Sequence, residues 1–141
     1  MRSCFLTALV VWSVALGARA DEISICYNYG CARNTEIQLR GAQLSRIHML
    51  FAWIDNAEEE REAISQAIGL FQIAAGQQTP TFRDRGRNLP DEGVDGRMDC
   101  IDHARNTSEY LHLMEERGWL RFHRVLEPAK RAPWIINEHW S

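Results

Sequence analysis

Cys100 is the residue best placed to do chemistry. It stands in Gly96-Arg97-Met98-Asp99-Cys100-Ile101-Asp102-His103, where a Gly-, Asp- and Pro-rich stretch gives way to a helical pattern. A thiol on the first turn of a helix meets partial positive charge and unpaired backbone N–H groups, and both favour thiolate. A thiolate is a nucleophile, and its usual companion is an imidazole that takes and returns the proton. His139 is the first candidate, 39 residues downstream, enough for one helix, one strand and a return. His123 is the second, and His103, three positions along the helix from Cys100, is a third. Asp99 and Asp102 work the other way, since nearby negative charge opposes thiolate formation.

Counting cysteines singles out the same residue. Residues 1–20 read as a secretory signal peptide: Arg2, a compact apolar run from Phe5 to Leu16, and Ala18-Arg19-Ala20 as the cleavage site. The run is too short for a membrane anchor. Cleavage after Ala20 leaves 141 − 20 = 121 residues, the size of one small domain spanning 21–141. It also removes Cys4 and leaves Cys26, Cys31 and Cys100. Cys26 and Cys31 flank the turn-forming Asn28-Tyr29-Gly30, so a local disulfide is expected in an oxidising compartment, with Cys100 left over. The expected location is secreted or periplasmic. The mature charge is (16 − 2) − 19 = −5, which argues against nucleic acid or anionic lipid as the main partner. The mature part has no second long apolar run, so no membrane association is expected of it.

The elements that must position Cys100 follow from periodicity. Asp21 to Asn34 reads as an irregular, disulfide-pinned segment, and Thr35 to Leu39 as a short strand. Leu44, Ile47, Leu50, Phe51 and Ile54 recur at helical steps. Asp55-Asn56 marks a break and N-cap. The next helix opens on Glu58-Glu59-Glu60, acids suited to a first turn, carries Ala63, Ile64, Ala67, Ile68, Phe71 and Ala75 on one face, and ends at Gly76. Gln77 to Arg97 is a long loop of the kind that often carries function. The Cys100 helix runs to Gly118. Trp119 to Glu127 and Trp134 to Trp140 read as strands, the second bearing His139 near its end. The expected class is α+β, a helical N-terminal half packed on a small antiparallel sheet.

This layout resembles the transglutaminase-like, papain-related cysteine enzymes, including the bacterial transglutaminase-like cysteine peptidases. Gly96-x-x-Asp99-Cys100 with Asp102 two residues on, and His139 followed by the aromatic Trp140, carry the resemblance over residues 96–140. Met98-Asp99-Cys100-Ile101-Asp102 and Asn106-Thr107-x-x-Tyr110-Leu111 are also similar to a group of secreted bacterial proteins. The resemblance implies a papain-like core, acyl transfer or hydrolysis at an amide or peptide bond, Cys100 as nucleophile and His139 as general base and acid. It implies a peptide or protein substrate, cell-wall peptide included, and neither cofactor nor metal. The family carries an orienting Asp on the strand after its histidine. The chain stops two residues past His139, so the expectation is a C-terminally truncated domain with an incomplete core, weak or inactive by itself.

Two other readings compete. A secreted binding or structural domain of the same fold needs no catalysis. More distantly, Ser65 to Ile73 resembles the Gly-Leu-Met-Gln-Ile stretch of lytic transglycosylases, cell-wall enzymes with a catalytic Glu followed by Ser. Glu58, Glu59, Glu60 and Glu62 are followed by Glu, Glu, Arg and Ala, so an amphipathic core helix is the better account. Metal patterns fail too. Cys100-x-x-His103 is half of a zinc motif, and Gly93 breaks the calcium-loop spacing of Asp91, Asp95 and Asp99. Asn106-Thr107-Ser108 is a sequon inside a predicted helix.

Overall fold

A computed structural model describes residues 21–86, 93–127, 129–131 and 139–140, without the side chains of the last two segments' strands. The described chain is a mixed α+β arrangement. Strands β1 (Asp21–Tyr27) and β2 (Arg33–Leu39) form an antiparallel hairpin. Helices α1 (Gly41–His48), α2 (Ala57–Gly76) and α3 (Cys100–Glu116) follow. A two-residue ladder pairs β3 (Lys130–Arg131) with β4 (His139–Trp140).

The hairpin corrects the expectation of an irregular start. Ile23 and Ile25 alternate with polar residues and Ile23 pairs with Ile37, so one face of the ribbon is apolar. Ile25, Ile37 and Leu39 are fully buried against the helices. An isolated two-stranded ribbon is marginal in water, and packing on α3 supplies the missing support.

The helices begin and end largely where their signals stand. α1 ends at His48, and Met49–Phe51 continues it as a 3-10 turn. Asn56 caps α2, its side chain accepting from the Glu58 and Glu59 N–H groups at 3.0 and 2.9 Å. Ala63, Ala67, Phe71 and Ala75 form its buried stripe, and Phe71 stacks on Tyr110 of α3 with centroids 5.0 Å apart. The segment before α3 contains a 3-10 turn at Pro80–Arg83, and residues 87–92 lie outside the described part. After α3, Gly118 takes the left-handed conformation at φ 67°. Its N–H donates to the Glu115 carbonyl and that of Trp119 to the Met114 carbonyl, the paired closure of a Schellman motif.

Trp119 to Glu127 is not a strand. The carboxylate of Glu60, fully buried on the first turn of α2, accepts the N–H groups of Arg121, Phe122 and His123 at 2.5, 2.9 and 2.7 Å and contacts His123 Nδ1 at 2.8 Å. Donors that a strand would present to a neighbouring ladder are held by one side chain instead. Of the expected strand at 134–140, only the pair His139–Trp140 falls within the described residues.

Candidate functional site

Cys100 occupies the first position of α3, as its sequence context suggests, and it is free and exposed. Cys26 and Cys31 sit at bonding distance, their Cα atoms 4.7 Å apart, in the geometry of a local disulfide.

The two aspartates around Cys100 have a different role from the one their sequence position suggests. Between β1 and β2, Asn28, Tyr29, Gly30 and Cys31 all adopt positive φ, between 62° and 70°. Four successive left-handed residues turn their N–H groups to one side, and three of the four carry a Cβ that disfavours this conformation. Asp102, fully buried, accepts the Cys31 N–H on Oδ1 at 2.6 Å. Its Oδ2 accepts the Tyr29 N–H at 2.8 Å and the Asp99 N–H at 3.2 Å. Asp99 accepts the Gly30 N–H on Oδ2 at 2.9 Å, and on Oδ1 the Ile101 and Asp102 N–H groups at 3.0 Å each. One pair of carboxylates therefore caps two turns at once, the right-handed start of α3 and the left-handed turn of the hairpin.

Asn106 completes the clasp. Its Oδ1 accepts the Cys26 N–H at 2.7 Å and its Nδ2 donates to the Cys26 carbonyl at 2.9 Å. Residues 99, 102 and 106 share one helical face, which is how they reach one hairpin. Asn28 ties the preceding loop to the same turn, donating to Asp95 at 2.9 Å and accepting the Gly96 N–H at 2.7 Å. Burial pushes the Asp102 carboxyl up; the N–H groups of Asp99, Cys31 and Tyr29 oppose this and the Asp99 charge adds to it, for a net shift upward.

The clasp leaves one backbone donor at Cys100 uncommitted, while both neighbouring carboxylates accept backbone N–H groups and keep their charge. The Cys100 N–H donates to nothing among the described residues, while those of Ile101, Asp102 and His103 are all engaged.

The histidines divide. His123 is held by Glu60 on the Trp119 side of the core. His103, 44 % exposed, pairs through Nε2 with Asp84 Oδ2 at 3.2 Å. Asp84 Oδ1 in turn accepts the Met98 N–H at 2.7 Å. The backbone of His139 lies in β4, which comes within 8 Å of α3 from Cα to Cα. Its side chain is outside the described residues. The turn clasp of Asp99, Asp102 and Asn106 is what sequence reasoning missed; the signal available was a run of turn residues closed by two cysteines, whose N–H groups need acceptors.

Among the described residues there is no group of three or more His, Cys, Asp or Glu side chains arranged to hold a metal ion. Nor is any described helix long and apolar enough to cross a membrane. Comparison with protein-family models, curated proteins and solved structures finds no match.

Proposed function

We propose that this chain is an exported thiol-dependent acyl-transfer domain of the transglutaminase-like, papain-related type, acting on an amide or peptide bond. The observation that carries the reading is the exposed Cys100 at the start of α3, outside any disulfide, with its own N–H unengaged among the described residues. The thiolate attacks the carbonyl carbon. The oxyanion that forms meets the Cys100 N–H, and His139 carries the proton from the thiol to the leaving amine. Water or a second amine then takes the acyl group and releases the thiol. The substrate on this reading is a peptide or protein, cell-wall peptide included. Export rests on the N-terminal apolar segment and the Cys26–Cys31 pair.

An activated ester tests the chemistry without knowledge of the substrate. With p-nitrophenyl acetate, the folded chain is expected to release nitrophenol and to gain one acetyl group on Cys100, more slowly in His139→Ala. Acetylation spread over lysines, with none on Cys100, would defeat the proposal.

A second reading has its own support. Asp99, Asp102 and Asn106 are fully accounted for as turn clasps, so the Asp-Cys-x-Asp pattern is also what a non-catalytic secreted binding domain needs to hold its hairpin. That reading expects Cys100→Ser to leave binding and stability untouched and the ester to turn over at background rate.

A further inference from the structure

Beside the start of α3 lies a cavity of about 190 Å³ that none of the roles above uses. Ile25, Ala75 and Met98 give it apolar walls on one side, and polar side chains, Thr81, Asp84 and His103 among them, line about as much of the rest. Tyr110 also lines it. This side chain is 1 % exposed and fixed by its stack on Phe71, yet its hydroxyl hydrogen-bonds to nothing among the described residues. Arg97 Nε is the one sealed-off side-chain nitrogen or oxygen without a partner among those residues, so the Tyr110 oxygen keeps an opening, and the cavity is what Tyr110 lines. A hydroxyl that opens only onto a cavity is served by water or by a hydrogen-bonding group that enters and takes the water's place.

We propose that this cavity is a binding site for a small neutral molecule with an apolar body of about ring size and one hydrogen-bonding atom. Size follows from volume, since a cavity of about 150 Å³ is large enough for benzene, and the polar part of this lining calls for a hydrogen-bonding atom on the ring. The charge preference follows from the walls. Asp84 keeps its negative charge although its oxygens accept the Met98 N–H and contact His103, so an anion is repelled. A neutral occupant has no ionic hydration to lose on entry, which a cation would. The hydrogen-bonding atom follows from Tyr110. Burial pushes its phenol up, so it stays protonated and able to donate. The site does not depend on Cys100 and stands or falls apart from the acyl-transfer reading.

Phenol, benzene and benzoate are the probes, and methyl NMR of the folded chain is the readout. Millimolar phenol is expected to give saturable shifts at the Ile25, Ala75 and Met98 methyl groups, and benzoate none. Tyr110→Phe keeps the ring and its stack but removes the donor. It is expected to weaken phenol about fivefold, the worth of one hydrogen bond, while leaving benzene unchanged. Ala75→Leu fills the cavity and should abolish both. No shift at those methyls with phenol, equal binding of benzoate, or a Tyr110→Phe variant that treats phenol as the wild type does would each overturn the proposal. The Tyr110→Phe comparison decides the matter even if Ala75→Leu does not fold.

Discussion

Replacing Asp102 by alanine should unfasten the hairpin from α3. The carboxylate accepts three backbone N–H groups, from Tyr29, Cys31 and Asp99. Hydrogen bonds to a charged acceptor are worth about 1.5–3 kcal/mol each. Tyr29 and Cys31 are only half-buried, so water replaces part of what is lost, and the lower end applies. Removing a carboxylate whose burial disfavours its charge returns some stability as well. The net loss is about 3 kcal/mol, a large share of the roughly 5–15 kcal/mol that holds a domain of this size. In urea, with a slope of about 1.5 kcal/mol per molar, the midpoint should fall by about 2 M. Hydrogen exchange adds the local signature: the amides of Tyr29, Gly30 and Cys31 should speed up more than those of Ile23 and Ile25 in the same ribbon. Cys100→Ser, one residue from the clasp but exposed, should stay within about 0.5 kcal/mol of the wild type. A loss below about 1 kcal/mol in Asp102→Ala, or turn amides that exchange no faster than the ribbon, would refute the clasp.

Gly96→Ala should cost more than about 3 kcal/mol in the same urea assay, because φ is 96° and an added Cβ would lie 2.0 Å from the Pro80 carbonyl oxygen; a change under 1 kcal/mol, on the order of an ordinary surface substitution, would contradict the packing. Glu60 governs the acid limb of the stability curve. Burial pushes its pKa up, but the N–H groups of Arg121, Phe122 and His123 and the His123 ring outweigh this, for a net shift below 4.5. Its contribution is complete above that value and disappears as pH falls through the lowered one. Asp102, shifted upward from 3.8, has the opposite sign, since its charged form weighs on the native state and protonation relieves it. Glu60→Gln should therefore flatten the loss of stability measured below about pH 4.5, and a variant as acid-sensitive as the wild type would contradict this account.

The helices were legible because their signals are local. Asn56 before three glutamates, the three- and four-step apolar stripe of α2, and Gly118 after α3 each act within a turn or two of the residue that carries them. The parts that were not legible depend on long-range acceptors. Glu60 looked like an ordinary first-turn acid, and only the fold reveals that it holds residues 121–123 and cancels a strand there. Asp99 and Asp102 read as charges beside a thiol, while their actual partners lie about seventy positions upstream in a left-handed turn. The hairpin itself was half legible: β2 was expected, and β1 shows the same alternation at Ile23 and Ile25 beneath an acidic start.

The proposed function turns on whether Cys100 is an activated thiol or merely an exposed one. Its rate of alkylation by iodoacetamide in the folded protein, measured across pH in the wild type and in His139→Ala, is the most direct test. The account predicts rapid modification near neutral pH and a marked slowing when His139 is removed. Modification only after denaturation, or a rate equal to that of free cysteine and indifferent to His139, would contradict it.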